Sequence, residues 1–151
     1  MREALIEAEK AYALGEIPCG AVIVFNGEII ARAHNTNRMD NNPTRHAEVI
    51  AVERAAGHLG NERLGGCSLY VTKEPCVMCA GAIIHSRIDI VYIGSRDEKY
   101  GACGTRFDIL GNTGFNHCPE MVFGICGDET TALIKKFFAE LRLRKRNSVT
   151  G

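Results

Sequence analysis

Two short segments, one around His46 and Glu48 and one around Cys76 and Cys79, constrain this chain more than any other feature of its sequence. Cys76 and Cys79 are three residues apart, so on a helix they advance about 300° and share one face. Pro75 suits a first helical turn, where unpaired amides and the dipole favour thiolate. His46 and Glu48, two residues apart, can reach one site only where their helix meets it end-on. We therefore predict two helix starts that converge on one point.

The converging residues have the chemistry of a zinc site. His46, Cys76 and Cys79 would supply three protein ligands, and a tetrahedral zinc ion then keeps one position open for water. That open position separates catalytic zinc sites from structural ones, and the metal can lower the pKa of the water to about 7. Glu48 is not needed as a ligand and is placed to move protons. The pattern predicts one zinc ion per subunit.

Two other interpretations of the cysteines are open. A structural zinc site would take its fourth ligand from the five remaining cysteines, but such a site does not call for Glu48 or for two helix starts. Cys76 and Cys79 could also form a redox pair of the thioredoxin kind. In that case the matching His46 and Glu48 would be a coincidence.

The remaining sequence predicts a scaffold of alternating strands and helices. The predicted elements are a helix at 2–14, strands at 21–25 and 28–31 joined by a turn, a helix at 46–59, a strand at 68–72, a helix at 76–86, strands at 88–93 and 121–125, and a last helix from 128. Strand, helix and strand in succession favour parallel pairing with helices on the sheet faces. The metal ligands would then lie just past strand ends, where open α/β sheets bind ligands. We predict an α/β fold in a single domain over 1–151.

Composition excludes some partners and compartments. No stretch approaches the roughly 20 apolar residues of a membrane span, and Met1 is followed by a charged helix rather than by a signal peptide. Seven cysteines, an odd number, favour a reducing compartment over a disulfide framework. We expect a cytoplasmic protein with no membrane partner.

Two stretches are candidates for contact with a partner. Residues 94–120 are mostly irregular, with a short helix predicted at 106–110, and a loop that long inside a domain is more often functional than not. The final helix ends in a basic run made of Arg142, Arg144, Lys145 and Arg146. Basic residues suit a helix C-terminus on dipole grounds, but this run could also hold phosphates.

The motif His-x-Glu followed by Pro-Cys-x-x-Cys is that of the zinc nucleobase deaminases. Over nearly its whole length the sequence also resembles the bacterial tRNA-specific adenosine deaminases. The segments that carry this resemblance are 18–22, 43–48, 69–72, 74–82, 84–87, the loop around Gly101, 115–117 and 137–138. One departure is Cys19, where a larger aliphatic residue such as valine is expected.

The resemblance implies a fold and an activity. The fold is the three-layer, cytidine-deaminase-like α/β fold, in which a five-stranded mixed central sheet is flanked by helices. The activity is hydrolytic deamination of the wobble adenosine of a tRNA anticodon to inosine, with Glu48 moving the protons and ammonia released. A free-base or nucleotide deaminase acting on guanine or cytidine/deoxycytidylate is the alternative enzyme, and a zinc-bearing RNA-binding module is the alternative without catalysis.

The resemblance also implies partners and substrate contacts. Asn35 matches the base-contacting asparagine of the family, and the backbone amide of Ala47 would bond the base edge. The other implied substrate contacts are Val22, Asp97, Lys99 and Asn116. The partner would be a tRNA anticodon stem-loop, whose unstacked bases are what proteins usually read in RNA, with the basic run on its stem. Family members are homodimers.

Overall fold

The computed structural model describes residues 1–149 of the chain. Its elements, in chain order, are α1 (Arg2–Ala13), β1 (Gly20–Phe25), β2 (Glu28–His34), α2 (Ala47–Leu59), β3 (Cys67–Lys73), α3 (Val77–Ser86), β4 (Ile90–Ser95), β5 (Glu120–Phe123) and α4 (Gly127–Val149). The prediction of one domain over 1–151 extends to two residues outside the described part of the chain, and it stays a prediction. Within residues 1–149, no helix combines the length and the apolar character that crossing a membrane requires.

The five strands form one mixed sheet in the order β2-β1-β3-β4-β5. β1 is antiparallel to both β2 and β3, whereas β3, β4 and β5 run parallel to one another. The β1–β2 hairpin turns at Asn26 and Gly27, both with positive φ, as two-residue hairpin loops require. The predicted five-stranded mixed sheet is confirmed.

Helices cover both faces of the sheet, so the fold has three layers. The main core lies beneath α2 and α3, where Ile50 and Ile83 pack among strand residues such as Leu69, Val71 and Ile93. The opposite face is covered by α1, which packs on β1 and β2, and by α4, which packs on β4. The carboxyl ends of the parallel strands β3 and β4 meet at one edge, and the candidate site lies there.

Some predicted boundaries were wrong. α2 and α3 begin one residue later than predicted, because His46 and Cys76 have extended backbones and act as N-caps. Pro75 therefore lies before the helix rather than in its first turn. The short helix predicted at 106–110 does not form. An isolated antiparallel bridge between Cys103 and Asp108 takes its place.

Gly20 lets α1 approach the sheet closely. A Cβ at this position would overlap the Ala4 carbonyl oxygen and would lie 2.5 Å from the Ala8 nitrogen. Both obstructing atoms belong to the backbone of α1, so they cannot rotate away as a side chain could. The absence of a side chain at Gly20 therefore sets the spacing between α1 and β1.

We expect Gly20→Ala to lower the free energy of unfolding by about 2–3 kcal/mol, because the new methyl group must push α1 off the sheet. Urea denaturation measures the change. Gly57→Ala is the matched control, since a Cβ at Gly57 in α2 meets no atom within 4 Å. That substitution should leave stability unchanged or raise it by up to about 1 kcal/mol. Equal stability of the two variants would contradict the close packing of α1.

Candidate active site

His46, Cys76 and Cys79 meet at the starts of two helices. His46 is the N-cap of α2 and Cys76 is the N-cap of α3, with Cys79 in the first turn of α3. One ligand atom from each residue lies within 4.8 Å of the other two. The structure thus brings together the three predicted ligands, from parts of the chain about thirty residues apart.

The distances within this cluster suit a tetrahedral metal ion. The His46 Nδ1 atom lies 3.7 Å from Cys76 Sγ and 3.5 Å from Cys79 Sγ. An ion that holds nitrogen at about 2.0 Å and sulfur at about 2.3 Å in tetrahedral geometry keeps those atoms about 3.5 Å apart. The donor set and its spacing therefore fit zinc.

The cluster also favours thiolate, which is the form that binds metal. The hydrogen bond from the Cys79 thiol, together with that from His46, lowers the pKa of Cys76 to about 4. The same bond to Cys76 raises the pKa of Cys79, and the Cys76 sulfur raises the pKa of His46. One negative charge is therefore already stabilised in the cluster at neutral pH.

Glu48 lies beside the cluster in the first turn of α2 and is buried. Burial raises the pKa of its carboxyl group above the ordinary value. Within residues 1–149, the buried Oε2 atom has no hydrogen-bond partner. A buried oxygen without a partner is rare in proteins and usually indicates a bound group or a functional role. Glu48 thus has an oxygen free to face a reacting molecule.

A cavity of about 370 Å³ opens onto these residues. Its size falls within the range of small-molecule binding pockets. Its wall consists of Ile17, Cys19, Asn35, His46, Glu48, Lys73, Glu74, Cys76, Asp97, Tyr100 and Phe138. A planar base inside it would be near both the metal ligands and Glu48.

Asn35 and Ala47, both predicted as substrate contacts, bond to each other. Asn35 is buried in the cavity wall, and its Oδ1 accepts a 2.8 Å hydrogen bond from the Ala47 backbone N–H. The Ala47 amide is therefore engaged by the protein itself. The Nδ2 group of Asn35 is left to face a ligand.

The remaining predicted contacts are divided between the cavity and other places. Asp97 lines the cavity, and Lys99 lines an adjoining groove. Val22 is buried in β1 and is not among the residues of the cavity wall. Asn116 lies in the loop before β5, where its Oδ1 accepts a 2.8 Å hydrogen bond from Arg87.

The adjoining groove has a volume of about 940 Å³ and runs along α4. Its basic residues are Lys73, Arg96, Lys99, Lys135 and Arg142. The predicted C-terminal basic run is therefore split, because Arg142 lines this groove whereas Arg144 lines a small cavity beside Tyr12 and Arg38. The groove and the active-site cavity share part of their walls.

Glu74 organises the loop that closes the site, a role that the sequence interpretation missed. Its buried carboxylate accepts backbone hydrogen bonds from Asp97 at 2.9 Å, Cys103 at 3.0 Å and Thr105 at 3.2 Å. Gly101 lies against the same carboxylate, where an added Cβ would be 2.5 Å from it. The available signal was an acidic residue between a buried strand and Pro75.

We expect Glu74→Ala to loosen residues 97–105, because three buried amides lose their shared acceptor. The free energy of unfolding should fall by about 2–4 kcal/mol, and amide hydrogen exchange at Asp97 and Cys103 should accelerate. Glu98→Ala is the control, since it removes an exposed carboxylate from the same loop. Unchanged exchange in the Glu74 variant would rule out this role.

Comparison with known proteins extends these findings. The model of the MafB19-like deaminase family matches residues 1–142. The tRNA-specific adenosine deaminase of Bacillus subtilis (strain 168) is 47% identical over 146 residues, which cover 97% of this chain and 91% of that protein. A solved structure from work on A-to-I editing by tRNA:A34 deaminases superposes with a TM-score of 0.85 at 41% identity, covering 88% of this chain and 96% of the other. A guanine deaminase from Bacillus subtilis superposes with a TM-score of 0.62 at 39% identity, covering 71% of this chain and 68% of the other.

Proposed function

This chain belongs to the MafB19-like deaminase family and to the tRNA-specific adenosine deaminases, and from that premise we propose how its site deaminates the wobble adenosine of a tRNA anticodon. The reaction consumes water and converts the adenine base to hypoxanthine, so adenosine becomes inosine and ammonia is released. The observation that carries the proposal is the juxtaposition of His46, Cys76 and Cys79 with the buried Glu48 in one cavity.

His46, Cys76 and Cys79 would hold one zinc ion per subunit. The nitrogen and sulfur donors, their spacing and the thiolate at Cys76 support this assignment. When bound there, zinc would act as a Lewis acid that makes hydroxide available near neutral pH.

Glu48 would carry the protons of the reaction. Its carboxylate would take one proton from the attacking water and deliver it to the ring nitrogen next to C6. It would then take the second proton from the hydroxyl group now on C6 and give it to the amine, which leaves as ammonia while C6 becomes a carbonyl carbon. Burial raises the pKa of Glu48 above its ordinary value, which is the direction that suits a carboxyl group acting as both proton acceptor and donor. The partnerless Oε2 atom supports a direct contact with the reactants.

Asn35 would orient the base. Its Oδ1 accepts from the Ala47 N–H, so the group that would meet the base is Nδ2, which is a donor and would face an acceptor atom of the purine. This arrangement makes Ala47 a support for Asn35, although the sequence interpretation assigned its amide directly to the base.

The anticodon stem-loop would lie along the basic groove beside α4. Phosphates are attracted by Lys99, Lys135 and Arg142, and the exposed Tyr100 ring can stack on an unpaired base. A free-base or nucleotide deaminase acting on guanine or cytidine/deoxycytidylate would have no use for a cationic groove of this size. The groove therefore supports an RNA substrate.

We expect Glu48→Gln to keep the fold and a full complement of zinc but to lower kcat on an anticodon stem-loop about a thousandfold, because the amide cannot accept the proton. Sequencing of the RNA product measures inosine at the wobble base, and mass spectrometry measures zinc. His46→Ala is the comparison variant and should lose zinc as well as activity. Near-normal turnover by Glu48→Gln, or full zinc in His46→Ala, would overturn the respective assignment.

We also infer that the enzyme is a cytoplasmic homodimer. Seven free cysteines suit a reducing compartment. Large apolar side chains are exposed at the start of α3 and in the loop before β5, namely Val77, Met78, Phe107 and Phe115. Aromatic side chains and methionine are enriched at protein interfaces.

Sedimentation equilibrium should give twice the chain mass of 16.5 kDa. Met78→Glu should shift the protein toward monomer, because a carboxylate would be buried in the interface. Ile6→Glu, at an exposed apolar position on α1, is the control that should stay dimeric. A monomeric wild-type protein at micromolar concentration would exclude the dimer.

A further inference from the structure

The active-site cavity and the basic groove lie side by side and share part of their walls, which we call the neck. The residues that line both spaces, and so form the neck, are Ile17, Lys73, Asp97, Tyr100 and Phe138. A nucleotide whose base enters the cavity while its strand stays in the groove must place its sugar and phosphates beside this neck. The side chains of the neck would therefore contact the sugar and phosphates of the target nucleotide.

Lys73 is held in place at the neck by Asp97. Its Nζ atom lies 2.6 Å from Asp97 Oδ2, while Asp97 Oδ1 accepts the backbone N–H groups of Lys99 and Tyr100. Parallel pairing of Lys73 with Ser95 fixes the strand ends that carry the two side chains. The Asp97 carboxylate is thus held by contacts to both of its oxygens, and its contact with Nζ holds the Lys73 ammonium group in place.

The ammonium group of Lys73 still has capacity to bind. A lysine offers three donors, and the contact with Asp97 uses one of them. The side chain is 24% exposed, so part of it faces the open space. Lys73 lies at the end of β3, where its side chain lines both the cavity and the groove.

Lys73 is a cation among the carboxylates that line the cavity. Three carboxylates line the wall, those of Glu48, Glu74 and Asp97, and within residues 1–149 Lys73 is the only lysine or arginine that lines it. A phosphate brought close to these carboxylates would be repelled unless a cation met it there. The other basic residues of the groove line it beyond the neck.

We propose that Lys73 is a substrate-positioning residue whose Nζ binds a phosphate adjoining the target adenosine while Asp97 fixes the lysine at the neck. This inference rests on the proposed function and deepens it, since it states how a base within an RNA strand is held for reaction. The contact is electrostatic and independent of sequence, so it places the nucleotide and leaves base recognition to the cavity.

The test compares Lys73→Met, Lys73→Arg and the control Lys136→Met in the zinc-loaded enzyme. Lys136 lies on α4 over the Tyr12 ring, outside both the cavity and the groove, and its substitution removes the same charge.

On an anticodon stem-loop we expect Lys73→Met to lower kcat/KM at least about tenfold, mainly through KM, because a hydrogen bond between charged groups is lost. The slope of log kcat/KM against log salt should also become shallower by about 0.7. Lys73→Arg should retain most activity, and Lys136→Met should match the wild type.

A second substrate separates phosphate binding from a structural role. Stem-loops with a neutral methylphosphonate at either linkage beside the target adenosine remove the charge that Lys73 would meet. We expect one of them to lower kcat/KM of the wild type by the same factor as Lys73→Met and to have little further effect on that variant. Equal sensitivity of the wild type and Lys73→Met to both neutral linkages would overturn the role of Lys73. Absence of inosine with the wild type and the unmodified stem-loop would instead overturn the proposed function.

Discussion

The site contains three buried carboxylates, those of Glu74, Asp97 and Glu48, and a buried carboxylate is costly unless hydrogen bonds or a cation stabilise it. The partners that stabilise each of them indicate its role. Glu74 is satisfied by three backbone amides, so its carboxylate holds the loop in place. Asp97 is satisfied by Lys73 and two amides, and although burial alone would raise its pKa, these bonds lower it. Glu48 has neither arrangement, and its pKa is raised. A buried carboxylate left poorly compensated is the one suited to proton transfer.

The mixed topology of the sheet is what brings these acids together. β1 reverses direction between β2 and β3, whereas β3 and β4 run parallel, so the carboxyl ends of β3 and β4 meet at one edge. Glu74 and the N-cap Cys76 follow β3, while Asp97 follows β4. The α2 helix crosses to the same edge and delivers His46 and Glu48 there. Two helix N-termini at one edge add partial positive charge, which favours the thiolates.

The sequence predicted those parts of the site that depend on local spacing. The separation of Cys76 and Cys79, and of His46 and Glu48, sufficed to predict two helix starts and a shared site, because helical geometry links such short separations to position. The roles of Lys73 and Glu74 depend on the register between β3 and β4, which short-range patterns do not encode. The helix predicted at 106–110 was wrong for a related reason. Backbone N–H groups of Arg106 and Phe107 both donate to Gly101, an arrangement of the folded loop.

The departure at Cys19 is compatible with this distribution of charge. Cys19 is buried in the cavity wall beside Glu48, and burial raises the pKa of its thiol, so it is neutral at physiological pH. A neutral thiol behaves as a small apolar side chain, as valine would. Within residues 1–149, the cluster of potential metal ligands here contains His46, Cys76 and Cys79 without Cys19. The third sulfur therefore adds neither a ligand nor a charge to the cluster of His46, Cys76 and Cys79.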